Sequence, residues 1–296
     1  MQRVRQLIHI DAADKMKLSG AGIGVGVLDS GVVFHEDLED KIVAYSDFTP
    51  NAIKRPKDET GHGTHVCGII AGSGKCSQGR YRGVAPGCQL YVGKILNEKG
   101  EGDVVSLIHG LEWLLSLALR HPIRVINISV SSLYFSNDSK KQHLYSLLKK
   151  AWELNILVVT AAGNSGPDGK TVSKLGDNPY VICVGCHEGT QSHLFKKKCQ
   201  DCSGRGPGEM VYRKPDIVAP GTEIISCAGI KQYTKKSGTS MATPIVSGAL
   251  ALSFEKNLRM SAWEMKRKLI YATDDLGENF LMQGFGMLNV EKLLMR

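Results

Sequence analysis

Apolar residues along the chain fall into two kinds of run that alternate with each other. Five runs are short, continuous and rich in Val and Ile, which is typical of strands buried on both faces of a sheet. They are GIGVGVLDS (22–30), CQLYVGKIL (88–96), RVINISV (124–130), NILVVTAAG (155–163) and YVICVGC (180–186). Segments with helical spacing lie between them, including VVSLIHGLEWLLSLAL (104–119) and LYSLLKKAWEL (144–154). The alternation predicts an α/β fold with a doubly wound, mostly parallel sheet flanked by helices.

The domain organisation follows from what interrupts these runs. The 296 residues contain no internal repeat and no low-complexity linker, so we predict a single domain over residues 1–296, with residues 1–20 as an N-terminal arm. The last segments, MSAWEMKRKLIYATDDLG (260–277) and QGFGMLNVEKLLMR (283–296), predict a helix, a turn and a short terminal helix. No apolar run reaches the roughly 18–20 residues of a membrane span, and no signal peptide is visible. We therefore expect a cytoplasmic protein without membrane contact, a secreted mature form being the alternative.

The charge balance narrows the class of partner. Lys and Arg number 37 and Asp and Glu 29, for a net charge of +8. The basic residues come in short clusters such as FKKKC (195–199) and YTKKSG (233–238) and do not form a stripe on one helix face with interleaved aromatics. This pattern indicates a solvated basic surface, and we expect no nucleic-acid partner. The oligomeric state is left open.

Three polar side chains on separate segments can act together in acyl transfer. Asp29 follows a predicted strand, and His62 and Ser240 each lie where a helix is predicted to begin, in GHGTHVCGIIAG and SGTSMATP. A serine hydroxyl becomes a nucleophile when an imidazole takes its proton, and a buried carboxylate holds that imidazole in the required tautomer. Taken singly, Asp29 is a turn residue, Ser240 a helix cap, and His62 with His65 a poor metal pair. Their joint occurrence favours a catalytic triad.

Acyl transfer also needs donors to the developing oxyanion. Asn164, after the strand run that ends in AAG, can supply a side-chain N–H, and the backbone N–H of Ser240 can supply another at a helix start. Gly61, Gly63 and Gly238 permit close backbone approach around these groups. Pro244 is predicted to fall within the first turn of the helix, where its missing N–H costs little.

The motifs VGVLDSGV, GHGTHVCGIIAG, VVTAAGNSGP and SGTSMATP resemble the four motifs of the subtilisin-like serine peptidases (subtilases, family S8), in that family's order. YRGVAPGCQLYVGKIL, RVINISV, KPDIVAPGTEI and GFGMLNV extend the resemblance over nearly the whole chain, especially to the intracellular AprX-like branch. The resemblance implies that Asp29 orients the base, His62 is general base and acid, Ser240 is the nucleophile and Asn164 is the oxyanion donor. Secreted relatives usually need an inhibitory prodomain for folding, and none is visible before these motifs, so we expect that the chain either was trimmed or folds unaided inside the cell.

The same resemblance implies how a substrate binds. A peptide or protein substrate would lie in extended form as an added strand between two edge segments, NEKGEGD (97–103) and NISVSS (127–132). The residues implied for these edges are Gly100, Gly102, Ser129, Val130 and Ser131. Gly163 would line the first side-chain pocket. The alternative is that all six are ordinary strand-end and turn residues.

Two segments resemble metal sites but lack the ligands or the geometry that a metal ion requires. Secreted relatives have a calcium loop where this chain has GSGKCSQGRYRGVAP, with Lys75, Arg80 and Arg82 and no carboxylate, so we expect no calcium in the 73–82 loop. Asp37 matches a calcium ligand of the family but lacks evident partners. The cysteines Cys183, Cys186, Cys199 and Cys202 have zinc-like spacing. However, YVICVGC is a predicted strand, in which residues three apart point to opposite faces, so two of these cysteines cannot readily share one ion. Buried thiols are therefore favoured, with zinc, or a disulfide or redox role for CQDC, as alternatives.

These observations predict a serine endopeptidase that needs no cofactor for its chemistry. One alternative is a dedicated peptidase that processes a precursor or leader peptide. A second is a non-catalytic relative that binds peptide or zinc, against which the intact set of Asp29, His62, Asn164 and Ser240 argues. The preferred residue at the cleaved bond is not predicted.

Overall fold

The structure is a computed structural model that describes residues 1–130, 133–134, 138–207 and 213–295. Within these ranges the helices are α1 (Gln2–Leu7), α2 (Asp11–Lys15), α3 (His62–Ala71), α4 (Val104–Leu117), α5 (Asp138–Glu153), α6 (Thr239–Lys256), α7 (Ala262–Tyr271), α8 (Phe280–Gln283) and α9 (Val290–Met295). The strands are β1 (Gly24–Asp29), β2 (Ile42–Asp47), β3 (Gln89–Lys94), β4 (Gly102–Asp103), β5 (Ile123–Ile128), β6 (Leu133–Tyr134), β7 (Leu157–Ala161), β8 (Val181–Cys186), β9 (Ile217–Ala219), β10 (Ile224–Ala228), β11 (Gln232–Lys236), β12 (Thr273–Asp274) and β13 (Met287–Leu288).

A nine-stranded sheet in the order β12-β13-β9-β8-β7-β5-β1-β3-β2 runs through the molecule. Neighbouring strands in it are parallel except β12 and β13. The chain runs from β1 to the edge strand β2, returns to β3 between them, and then passes to the other side of β1 to form β5 and β7. The winding therefore reverses beside β1, and such a switch point is where open α/β sheets bind ligands, beyond the carboxyl ends of the strands.

Two buried helices bring further residues to this edge. Helix α6 packs against β5, β7 and β8 on one side and against α3 on the other, and its residues from Met241 to Phe254 are all buried. In α3, every residue except His62 is buried. Burial of each Val, Leu or Ile side chain stabilises the fold by about 1.5–3 kcal/mol. The ends of both helices are consequently held firmly against the sheet.

The predicted fold class is confirmed: a doubly wound, mostly parallel sheet flanked by helices in a single domain. The five predicted strand segments correspond to β1, β3, β5, β7 and β8, and the predicted helical segments correspond to α4, α5, α7 and α9; β5 begins one residue before its predicted segment and α5 begins six residues before it. Strand β2 and the hairpin of β10 and β11 were not predicted, because β2 is half-exposed at the sheet edge and β11 is polar. In the N-terminal arm, Val4, Ile8 and Ile10 are buried in the core. Among the helices described, none is both long and apolar enough to cross a membrane.

Candidate active site

Asp29 and His62 form a hydrogen-bonded pair at the carboxyl end of β1. Asp29 is fully buried, and its Oδ1 lies 2.6 Å from Nδ1 of His62. Because an ionised carboxylate can only accept, Nδ1 carries the proton of this hydrogen bond. Burial lowers the pKa of His62, but the charge of Asp29 and the hydrogen bond from His62 to it more than offset burial, so the pKa is raised. The other ring nitrogen, Nε2, is left for chemistry in the cleft.

The first turn of α3 is capped by side chains. A helix start leaves its N–H groups without partners inside the helix. Three of them donate to neighbouring side chains: His62 to Thr60 Oγ1 (3.1 Å), Gly63 to Ser30 Oγ (2.9 Å) and Thr64 to Asp58 Oδ2 (2.8 Å). His62 is the first residue of α3, so this capping also sets where its backbone lies.

Asp58 connects these caps. Its Oδ1 accepts from Ser30 Oγ at 2.7 Å and from the Gly61 N–H at 2.9 Å, and its Oδ2 accepts from Thr64 Oγ1 at 2.6 Å. The carboxylate is nearly buried, and the helix dipole favours a negative group at this end. Asp58 therefore joins the turn after β1 to the start of α3.

Glycine is required where α3 approaches β1. A Cβ on Gly63 would lie 2.1 Å from the carbonyl oxygen of Gly31, so any side chain there would push the helix away from the strand. Gly61 has φ +64, in the left-handed region that favours glycine. Both residues allow the 2.6 Å approach of His62 to Asp29.

Ser240 is the second residue of α6 and lines the same cleft as His62. This confirms the predicted position at a helix start, where the backbone N–H of Ser240 has no acceptor within the helix. The prediction for Pro244 is wrong: it is the sixth residue of α6, beyond the first turn. Its missing N–H therefore removes a regular helical hydrogen bond, to the carbonyl of Ser240.

Asn164 lies three residues beyond β7 with an exposed side chain. Its Oδ1 accepts from the N–H and the hydroxyl of Thr239, at 3.0 and 3.1 Å. These bonds fix the amide orientation and leave Nδ2 as a donor. A Cβ on Gly238 would lie 3.4 Å from Nδ2, so this donor lies beside the loop that leads to Ser240.

The cleft has a volume of about 300 Å³, and its lining includes three of the predicted substrate-edge residues, Gly100, Ser129 and Val130. Ser129 Oγ accepts from Asn127 Nδ2 at 2.8 Å, and Asn127 Oδ1 accepts from Ser247 Oγ at 2.9 Å. The edge of the cleft is thereby tied to helix α6.

Two other predicted substrate residues, Gly102 and Gly163, are not among the residues described as lining this cleft. Gly102 pairs with Leu133 and lines a neighbouring cavity of about 230 Å³. Gly163 is buried with φ +97, and its carbonyl accepts from the Gly204 N–H at 2.7 Å. Ser131 falls outside the described residues.

Lys94 supports the turn that follows Asp29. It is 3% exposed, and its Nζ donates to the carbonyls of Ser30 and Leu96 at 2.7 Å and to Glu59 Oε2 at 2.8 Å. Burial raises the pKa of Glu59, but hydrogen bonds from Lys57 and Lys94 lower it to about 2. Glu59 therefore stays ionised and keeps its bond to Lys94 over the range in which enzymes work.

The region matched to a calcium site is closed by hydrogen bonds. Asp37 is buried, its Oδ1 accepts from the Cys76 N–H at 3.0 Å and Ser73 Oγ at 3.2 Å, and its Oδ2 accepts from Tyr233 at 2.6 Å. A calcium ion would need several oxygen ligands here, but the groups around the Asp37 carboxylate donate hydrogen bonds to its oxygens and so occupy the positions that calcium would take. The residues do not fit calcium.

Asp37 also belongs to a group of three side chains that could bind a metal. Ligand atoms of His35, Asp37 and Cys227 lie within 4.8 Å of one another, and this is the one such group among the residues that the structure describes. Both ring nitrogens of His35 are engaged, Nδ1 with the Asp37 N–H and Nε2 with the Gln232 carbonyl, each at 3.0 Å. A metal would have to displace one of these bonds.

His65, which was considered with His62 as a possible metal ligand, is not among the residues described as lining the cleft. Its Nε2 faces the carbonyls of Ile224 and Thr234 at 3.0 and 3.1 Å, and burial lowers its pKa to about 4. His65 is a neutral core residue.

The cysteines are all free thiols. A Cβ on Gly176 would lie 2.8 Å from Cys183 Sγ, whereas one on Gly221 would lie 2.5 Å from Cys186 Sγ and 3.3 Å from Cys199 Sγ. Cys183 thus packs apart from Cys186 and Cys199. Burial raises the pKa of Cys183 to about 12 and that of Cys186 to about 11, so these thiols are protonated at neutral pH.

Several contributors to the site were not predicted. They are the caps Ser30, Asp58 and Thr60, the buried Lys94, and two lysines of the cleft, Lys99 and Lys236. Asp58 had a usable signal, because a carboxylate shortly before a predicted helix start is typical of a cap. The lysines had none, since exposed lysines are common on any surface.

The chain is similar to known proteins over most of its length. A family model described as Subtilase family matches residues 20–287. The serine protease AprX of Bacillus subtilis (strain 168) is 36% identical in an alignment that covers 93% of this chain and 66% of AprX. Subtilisin DY of Bacillus licheniformis is 32% identical over 96% of this chain and 95% of its own. An intracellular serine protease of Paenibacillus polymyxa is 34% identical over 91% of this chain and 79% of its own.

A solved structure leads to the same assignment. Sphericase superimposes with a TM-score of 0.79 at 28% identity, over 92% of this chain and 93% of its own. The fold and the matched relatives agree. The chain therefore belongs to the subtilase family, a family of serine peptidases.

Proposed function

We propose that the chain is a serine endopeptidase that hydrolyses peptide bonds through an acyl-enzyme on Ser240. The observation that carries the proposal is the 2.6 Å pairing of Asp29 with His62, beside the cleft that both His62 and Ser240 line. A buried carboxylate bonded to Nδ1 stabilises the imidazolium that forms when Nε2 takes a proton.

In the proposed mechanism, Ser240 Oγ attacks the substrate carbonyl carbon while Nε2 of His62 takes the hydroxyl proton. The charge that develops on the carbonyl oxygen is stabilised by Asn164 Nδ2 and the backbone N–H of Ser240. His62 then gives the proton to the leaving amine, and the C–N bond breaks. A water molecule, deprotonated by His62, then attacks the acyl carbon. The bond from that carbon to Ser240 Oγ breaks, His62 returns the proton to Ser240 Oγ, and the second product leaves as a carboxylic acid.

The substrate in this proposal is an extended peptide along the edges at Gly100–Gly102 and 129–131, with its first side chain toward Gly163. Ser129 and Val130 face the cleft beside Ser240, which supports this path. The chemistry is proposed to need no metal or cofactor. An intracellular location is also proposed, supported by the relative named intracellular serine protease.

A fluorophosphonate probe tests the proposal, because it labels an activated serine. The protein should label on the peptide that contains Ser240 and should cleave an unfolded protein substrate, and Ser240→Ala should lose both activities. Ser253→Ala is a matched control, since Ser253 is buried on the same helix and, among the described residues, its Oγ has no hydrogen-bond partner. Labelling and cleavage by Ser240→Ala at the parent level would contradict the proposal.

A further inference from the structure

The cleft around His62 and Ser240 carries positive charge next to the reacting groups. Lys99 and Lys236 are among its lining residues, and no carboxylate is among the residues described as lining it. A cleft lined by one sign of charge attracts substrate groups of the opposite sign.

Lys236 is positioned at short range from the catalytic histidine. It ends β11, four residues before Ser240, and its half-buried side chain reaches the Thr60 carbonyl, with Nζ at 3.4 Å. Its charge is one of the influences that lower the pKa of His62, although that pKa is raised overall. Among the described residues, no ion pair neutralises Lys236, whereas its neighbour Lys235 pairs with Glu223 at 2.9 Å.

Lys99 approaches the same point from the other side. It is exposed and lies in a tight turn in which Asn97 Oδ1 accepts from the N–H groups of Lys99 and Glu101, at 2.9 and 3.0 Å. A Cβ on the next residue, Gly100, would lie 3.7 Å from Cγ2 of Thr60. Thr60 therefore lies between the turn that carries Lys99 and the end of Lys236.

The charge changes sign in the next cavity. The cavity of about 230 Å³ beside Gly102 is lined by two carboxylate residues, Glu101 and Asp103, and by no lysine or arginine among its described residues. Positive charge is therefore local to the cleft of Ser240 and is not a general consequence of the net charge of +8.

We propose that this cleft selects peptides with an Asp or Glu side chain within two residues of the cleaved bond, which Lys99 and Lys236 bind by charge. The proposal rests on the proposed peptidase function. Each exposed charge pair between a lysine and the substrate should raise kcat/KM by a factor of about 1.5–5. The two lysines together should favour an acidic over an isosteric neutral side chain by a factor of about 2–25 in kcat/KM.

The test uses fluorogenic peptides that are identical except for one position within two residues of the cleaved bond, occupied by Asp, Asn or Lys. The kcat/KM of the protein should follow the order Asp, Asn, Lys. The double variant Lys99→Gln with Lys236→Gln should bring the ratio of Asp to Asn peptide close to one. Lys235→Gln removes the same charge from the neighbouring strand position and should keep the parent ratio. Raising the salt concentration should reduce the preference of the parent, because exposed pairs are screened.

A pH profile gives a second readout on the Asn peptide. Without the Lys236 charge the pKa of His62 rises, so Lys236→Gln should move the acidic limb to higher pH, and Lys235→Gln should move it less. If the double variant cleaves peptides with the parent ratio of Asp to Asn, the proposal is wrong and the peptidase function stands. If no peptide is cleaved and Ser240 is not labelled by a fluorophosphonate, the peptidase function and this proposal both fail.

Discussion

Replacing Asp58 by Asn tests how the start of α3 places His62. The Asp58 carboxylate accepts five hydrogen bonds, from Ser30 Oγ, Thr60 Oγ1 and the Gly61 N–H at Oδ1, and from the N–H and hydroxyl of Thr64 at Oδ2. An Asn amide has one acceptor oxygen and an NH₂ group in place of the other. The variant therefore keeps the shape of the side chain but removes an acceptor and the negative charge.

The magnitude follows from what is lost. With the amide oxygen at the Oδ1 position, the Thr64 N–H faces a donor, and an unsatisfied buried N–H costs about 1–3 kcal/mol. Loss of the charge at the helix N-terminus adds about 0.3–1 kcal/mol. At roughly 2 °C per kcal/mol for a chain of this size, Tm should fall by roughly 2–8 °C. Because a displacement of about 1 Å can cost about 100-fold in rate, kcat should fall by about 10- to 100-fold.

Tm should be measured by calorimetry in a Ser240→Ala background, where self-cleavage does not interfere, and kcat in the active protein. Asp40→Asn is the matched control, since the side chain of Asp40 is 83% exposed and, within the part of the chain that the structure describes, its carboxylate is engaged by a single ion pair, with Lys41 at 4.0 Å. A Tm and kcat for Asp58→Asn equal to those of Asp40→Asn would refute the positioning role.

Four further outcomes are expected. The kcat/KM should fall as the pH drops, with a midpoint above the usual histidine pKa of about 6.5, because Asp29 raises the pKa of His62 and only the neutral imidazole accepts the proton. A midpoint below about 6.5 in the pH–rate profile, with chemistry rate-limiting, would count against this. Asp29→Asn should move that midpoint to lower pH and reduce kcat by on the order of 10⁴, a figure taken from another serine peptidase; an unmoved midpoint would show that Asp29 does not set the pKa. Asn164→Leu should reduce kcat by on the order of 10²–10³-fold, a factor that was measured on subtilisin, with little change in KM. If steady-state kinetics gave the parent kcat, Asn164 would be excluded as the oxyanion donor. EDTA should leave activity and Tm unchanged, since hydrogen-bond donors surround Asp37; a loss restored by calcium would contradict this.

The central strands and helices could be predicted from the sequence because each is decided by its own residues. Strands β1 and β7 are buried on both faces, so they appear as continuous Val-rich runs. The half-exposed edge strand β2 and the polar strand β11 lack such a run, and their pairing depends on neighbours that are distant in the chain. Local pattern alone could not predict them.

The candidate site was predicted in part for a similar reason. Asp29, His62 and Ser240 lie at element ends that motifs can mark, whereas the 2.6 Å contact of Asp29 with His62 depends on Gly63 packing against the Gly31 carbonyl. Pro244 was misplaced because it is the sixth residue of α6, counted from Thr239, whereas the first turn holds only about four residues. The opposite charges of the two adjacent cavities arise only after folding, when Lys236 comes beside Thr60.

Trapping the acyl-enzyme tests the central claim most directly. A slowly deacylating ester substrate, mixed rapidly with the protein and quenched in acid, should leave an acyl group on one residue that peptide mapping by mass spectrometry can locate. The account predicts one acyl group per active chain, on Ser240, formed in a burst that precedes steady turnover, and none in Ser240→Ala. Turnover of the ester with the acyl group on another residue, or an unchanged burst in Ser240→Ala, would contradict it.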